Sequence, residues 1–221
     1  QFSTSGVTFT YCTAPTVSSV WPSVGAMEGG TQLTVIGSGF SEVAQATGTP
    51  LCRFDMHVVS AVFVSEHAVI CNSTRAALGG VMSIEVSNDG QEYSSSGVHF
   101  EAVAVSVDRL TPWSGPTIGQ TAITLSGPGL DRVEVSQCLF TAHTSAVPVG
   151  SVAVPASVHG DGLRCRSPAD LLSSGWASVQ LLSYGSTLQS EAAFYLHARL
   201  QVSMIAPAVG PVAGGTRVAV I

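Results

Sequence analysis

The stretch Pro22-Ser-Val-Gly25-Ala-Met-Glu-Gly29-Gly30-Thr31-Gln-Leu33-Thr-Val35-Ile-Gly37-Ser-Gly39-Phe40 decides the fold. Over residues 31–36 the apolar Leu33 and Val35 alternate with polar neighbours, the period of a half-buried strand. Pro22 has no N–H to give to a ladder and ends the strand before it. Gly25, Gly29 and Gly30 are expected to turn the chain with positive φ. Gly37 and Gly39 end the next strand ahead of a buried Phe40.

The same pattern returns as Pro112-Trp-Ser-Gly115-Pro-Thr-Ile-Gly119-Gln120-Thr121-Ala-Ile123-Thr-Leu125-Ser-Gly127-Pro-Gly129-Leu130. It opens a third time as Pro207-Ala-Val-Gly210-Pro-Val-Ala-Gly214-Gly215-Thr216-Arg-Val218-Ala-Val220-Ile221. The second copy departs from the first where Gln120 replaces Gly30 and Leu130 replaces Phe40. Near the start, Phe2-Ser-Thr-Ser-Gly6-Val7-Thr-Phe9 matches Tyr93-Ser-Ser-Ser-Gly97-Val98-His-Phe100, and Phe194 closes the second copy. Such self-similarity is the mark of a tandem array. It divides the chain into the last strand of a preceding repeat (1–13), two whole repeats (14–102 and 103–198) and the start of a further one (199–221). A piece of a longer array is the expectation.

Within each repeat the strands are short. Residues 81–87 alternate Met82, Ile84 and Val86, and Val98 and Phe100 follow. Asn88-Asp89-Gly90 and Gly160-Asp161-Gly162 supply turns, Asp-Gly being suited to a tight hairpin. Short strands with regular turn signals read as a β-sandwich. No segment keeps a helical period, and 169–174 has room for one turn only.

The 221 residues carry 45% hydrophobic and only 10% charged residues, with a net charge of −6. All 8 basic residues are Arg; there are 30 Ser and 18 Thr and no Lys. An acidic, Lys-free chain lacks the cations that nucleic-acid binding uses to neutralise phosphate. High hydrophobicity with low charge reverses the signature of disorder. No apolar run approaches the ~18 residues of a membrane span. A surface kept wet by hydroxyls suits glycosylation or packing into an assembly; AT-rich Lys codons in a biased genome account equally for the missing Lys.

On Pro22, Gly25, Gly29, Gly30, Thr31, Gly37, Gly39 and Phe40, and on the closing Val86-Ser-Asn-Asp-Gly90…Tyr93…Phe100, the sequence resembles the IPT/TIG domain, the immunoglobulin-like fold shared by plexins and transcription factors. The resemblance covers the whole chain as two full and two partial copies. It implies an all-β protein of tandem immunoglobulin-like β-sandwiches. It says far more about fold than about function, because the fold hosts unrelated activities.

Cys52-Arg-Phe54 aligns with Cys138-Leu-Phe140, and Val69-Ile-Cys71 with Leu163-Arg-Cys165, so each whole repeat holds its own cysteine pair. The resemblance to extracellular family members implies disulfides Cys52–Cys71 and Cys138–Cys165, which belong to oxidising compartments. The alternative is two reduced, buried thiols per repeat. Zinc is disfavoured, since there is no Cys-x-x-Cys unit. Cys12, whose counterpart is Val103, is left without a partner in this chain: it pairs with a segment outside it, pairs with a neighbouring chain, or stays a free buried thiol. Asn72-Ser73-Thr74 is an N-glycosylation acceptor; the second repeat has Arg166-Ser167-Pro168 there.

No constellation of catalytic groups converges in the sequence. The six His are scattered, no Gly-x-Ser-x-Gly elbow is present, and Gly37-Ser-Gly39 is followed by no helix that would cradle a phosphate. Asn88-Asp89-Gly90 lacks further carboxylates for calcium. Arg164 and Arg166 flank Cys165 without an assigned anion site. Trp21 and Trp113 flank the repeat-opening prolines and are expected to pack one repeat against the next, with a sugar-stacking platform as the alternative.

The expected function is therefore non-enzymatic, with no cofactor and no metal. It is a structural or adhesive segment of a multi-repeat extracellular or cell-surface glycoprotein, for instance a ciliary filament. Its expected partners are neighbouring repeats, other extracellular proteins or glycans, with no nucleic acid and no membrane span in this segment. The stalk of a plexin-like receptor and an accessory domain of a secreted carbohydrate-active enzyme are the alternatives.

Overall fold

The computed structural model describes residues 11, 13–47, 50–144, 147–171, 174–184, 186–199 and 201–221. Cys12 and the closing strand expected within 1–10 lie outside the described residues.

The first sandwich is built from β1 (Thr16–Trp21), β2 (Val24–Ala26), β3 (Gln32–Ser38), β4 (Leu51–Phe54), β5 (His57–Ser60), β6 (Val62–Ser65), β7 (Ala68–Asn72), β8 (Gly80–Ser87) and β9 (His99–Val103). One sheet runs β1-β3-β7-β6 and the other β2-β9-β8-β4-β5. The opening strand is split at Pro22. β1 pairs antiparallel with β3; after the proline the chain crosses and β2 pairs parallel with β9, Val24 opposite Glu101 and Ala26 opposite Val103. Proline cannot extend the first ladder, so the crossing falls there.

Alternation sets the core. Leu33 and Val35 of β3, Cys52 and Phe54 of β4, Val69 and Cys71 of β7, Ile84 and Val86 of β8 and Phe100 of β9 are all buried. Phe54 meets Phe100 edge-on at 6.1 Å. Where positive φ was expected at three glycines, Gly29 (φ 83°) and Gly30 (φ 82°) adopt it but Gly25 does not. Gly25 is there for room. A Cβ on it would run into the Thr31 side chain and come within 2.7 Å of Phe100 Cζ. Gly115 stands against Thr121 and Phe194 Cζ (2.9 Å) in the same way, and Gly210 against Thr216. The repeated Gly and Thr of the opening motif are thus contact partners.

The second sandwich repeats the plan with β10 (Arg109–Thr111), β11 (Ser114–Pro116), β12 (Ala122–Ser126), β13 (Gln137–Thr144), β14 (Val147–Pro155), β15 (Ser157–His159), β16 (Gly162–Arg166), β17 (Gly175–Ser183) and β18 (Ser186–His197). Its sheets run β10-β12-β16-β15 and β11-β18-β17-β13-β14, and Phe140 meets Phe194 edge-on at 6.0 Å. One departure from the shared plan is a longer β13–β14 hairpin, in which 147–155 pair with 137–144. A second departure is a short helix, α1 (Glu42–Thr47), in the first sandwich. Six residues are too few to show a helical period, and the second copy has only turns there. Beyond β18, residues 199–221 form a two-stranded pair, β19 (Ile205–Ala206) with β20 (Ala219–Val220).

Candidate functional site at the sandwich junction

Cys52 on β4 and Cys71 on β7 belong to opposite sheets, and a disulfide joins them through the core with Cα atoms 6.4 Å apart. Cys138 on β13 and Cys165 on β16 are joined likewise, also at 6.4 Å. All four are buried. Each bridge fastens one sheet to the other where Leu33 pairs with Cys71 and Ile123 with Cys165. These are structural cross-links rather than reactive thiols.

The most elaborate chemistry lies where the sandwiches meet. The parallel β2–β9 pair runs to the far pole of the first sandwich. There Ala26, only 3% exposed, and Val103 join the apolar cluster of Val105, Leu130, Val133 and Val135 that fills the second sandwich. Around this contact three side chains reach across. Trp21 packs edge-on against Tyr184 with ring centroids 5.0 Å apart. Arg132 donates from Nη2 to Glu101 Oε2 at 2.8 Å. The Ser186 hydroxyl donates to the Gly30 carbonyl.

Tyr184 is held by its own sandwich. It sits in the β17–β18 turn at φ 46°, and its hydroxyl donates to Glu134 Oε2 at 2.5 Å. Burial, the hydrogen bond to Glu134 and that carboxylate's charge together raise its pKa well above the ordinary tyrosine value. The ring facing Trp21 is therefore a neutral phenol throughout the neutral pH range.

The sequence-derived site residues fall in different places. Trp21 is at the junction. Trp113 stacks on Trp176 at 6.3 Å within its own sandwich, and Trp176 meets Tyr195 edge-on at 5.1 Å. Asn72 is exposed at the end of β7, while Ser73 beside it is buried and accepts the Thr31 N–H. Arg164 contacts His159 and Arg166 donates to the Gln120 carbonyl. Tyr184, Ala26 and Arg132 were not legible as a site: each is an ordinary turn or strand residue until the two sandwiches meet. Among the described residues no cluster of three His, Cys, Asp or Glu side chains could hold a metal, and no helix is long and apolar enough to cross a membrane.

Known proteins bear on this architecture. The family model described as IPT/TIG domain matches residues 15–102. The chain is 22% identical to human Plexin-A3 over 224 residues, covering 96% of this chain and 11% of that protein. It is 26% identical to mouse Fibrocystin-L over 180 residues, covering 71% of this chain and 4% of that protein. A solved structure of the Plexin A4 full extracellular region superimposes with a TM-score of 0.61 at 19% identity, covering 86% of this chain and 17% of that chain. The chain thus spans about a tenth of the length of the plexins it matches. Residues 15–102 match the IPT/TIG domain, and the chain is an all-β tandem of immunoglobulin-like sandwiches. The disulfides and the plexin relatives point to the extracellular space or the cell surface.

Proposed function

We propose that this chain is a stiff, non-enzymatic spacer within an extracellular or cell-surface glycoprotein, made in the secretory pathway and built from repeats at 14–102 and 103–198, with 199–221 opening another. The observation that carries this reading is the burial of Ala26 and Val103 in the core cluster of the second sandwich. A flexible linker would leave each sandwich with a closed core of its own. Here one apolar cluster spans the boundary, so bending the chain exposes apolar surface at ~25 cal/mol per Å². Trp21, Arg132 and Ser186 then fix the rotation about that contact.

Small-angle X-ray scattering of residues 1–221 tests stiffness. A single elongated envelope matching one inter-sandwich angle is expected, and a distribution of angles would overturn the spacer. Asn72, exposed and in a sequon, carries an N-linked glycan in this reading. Peptide:N-glycosidase should lower the mass of the secreted protein at that site, and Asn72→Gln should abolish the change.

The stalk of a plexin-like receptor is the second reading, supported by plexin relatives aligned along nearly the whole chain. A single membrane span and a cytoplasmic signalling domain in the full gene product would favour it over an adhesive or filament-forming protein.

A further inference from the structure

The far pole of the second sandwich carries an exposed aromatic face with no counterpart in the first. Strand register identifies the matching positions. In the first sandwich Glu101 lies opposite Val24 and Val81, and its N–H donates to the Ser23 carbonyl. In the second, Tyr195 lies opposite Ser114 and Trp176, and its N–H donates to the Trp113 carbonyl. Ser23, Val81 and Glu101 of one sandwich therefore correspond to Trp113, Trp176 and Tyr195 of the other.

In the first sandwich this place borders an interface, with Ser23 and Val81 left exposed. Glu101 grips Arg132 of its neighbour, and Ala26, beside it on β2, is sunk into the neighbour's core. In the second sandwich the matching positions carry aromatics: Trp113 is 61% and Trp176 52% exposed, stacked on each other, and Tyr195 meets Trp176 edge-on. Two of the chain's 3 tryptophans are spent on it. Exposed aromatic patches of this kind mark interaction surfaces, and Trp and Tyr are the residues that carry interface energy. The polar anchor has also moved. The Gly30 carbonyl is taken by Ser186 of the neighbouring sandwich, whereas the carbonyl of its counterpart Gln120 is satisfied by Arg166 of the same sandwich.

The chain itself leads the next unit to this pole. β18 ends at His197, and residues 199–221 then repeat the opening motif with Val202, Ile205, Val218 and Val220 exposed. We infer that Trp113, Trp176 and Tyr195 are the docking face for the repeat that residues 199–221 open, adding aromatic contacts at positions where the preceding junction has only the Glu101–Arg132 ion pair. The inference rests on reading 199–221 as the start of a repeat.

Hydroxyl-radical footprinting read by mass spectrometry, on residues 1–221 and on the full-length protein, tests it. Oxidation of Trp113 and Trp176 should fall several-fold in the full-length protein, with Trp21 unchanged as the internal reference. Hydrogen exchange at Ala219 and Val220, measured on the same two samples, separates the two ideas. Slowed exchange there with tryptophans still fully oxidised leaves the repeat intact and overturns the docking. Exchange no slower than in residues 1–221 removes the repeat, and the docking with it. A neutral oligosaccharide that binds residues 1–221, and ceases to bind after Trp113→Ala with Trp176→Ala, would assign the face to sugar and also overturn the docking.

Discussion

The first sandwich meets its neighbour with Trp21, Ala26, Gly30 and Glu101, while the second presents Trp113, Trp176 and Tyr195 on an equivalent frame. The frames are alike because they are set by inward-facing residues: a Phe pair, a cystine and a Gly–Thr contact recur in each. The poles differ because outward-facing residues there answer to whatever lies beyond. One fold can thus be strung into an array whose joints are individually tuned.

The comparison breaks hardest at the core. Phe140→Ala and Phe54→Ala should each cost about 3–5 kcal/mol. In urea, each should shift the unfolding of its own sandwich first, giving two transitions where the wild type shows more closely coupled ones. A single shifted transition for both variants would mean that the shared cluster fuses the sandwiches into one cooperative unit. Removing the cystines comes next. Paired Cys→Ala changes at 52 and 71 should cost ~3 kcal/mol and those at 138 and 165 slightly more, because the second bridge closes the longer loop. The sequence separations are 19 and 27 residues.

At the junction, a double-mutant cycle on Trp21→Ala and Tyr184→Ala should return a coupling of ~0.5–1.5 kcal/mol. The contact is also sensitive to pH in a defined direction. Tyr184 has a folded pKa raised above its unfolded value of 10.0. Its contribution is therefore fully present below about pH 10 and is lost as pH rises from there through the folded value. Tyr184→Phe should abolish that alkaline loss, and Trp21 fluorescence reports it.

Gly30 and Gln120 offer a finer test, for both hold a left-handed backbone, at φ 82° and φ 65°. Gly30→Gln should cost about 1 kcal/mol, and Gln120→Gly should recover part of that. Thermal melts would reveal a sign error directly. Arg132→Ala should have the smallest effect, below ~1 kcal/mol and shrinking as salt is added, because the pair with Glu101 is partly exposed.

Much of this molecule can be read from its sequence. Leu33 and Val35 announce their strand by alternation, the recurring Pro, Gly and Thr announce the repeat, and the aligned cysteines announce which residues share a core. α1 escapes because its six residues are shorter than the period that would reveal them. Gly25 was legible as required but not as to why: no local pattern says that Thr31 and Phe100 crowd it. Tyr184 and Ala26 carry no such local signal, for nothing in their own neighbourhoods encodes the sandwich that each one meets.

The sequence by itself determined the tandem β-architecture, since alternation and turn chemistry act over a few residues and repeat with the motif. The tertiary structure alone decided that Trp21 meets Tyr184, that Ala26 enters the second core and that Trp113 turns to Trp176. These contacts join residues with no periodic relation, and they exist only once the twist of each sheet and the short crossing from Val103 to Arg109 have fixed one sandwich against the other.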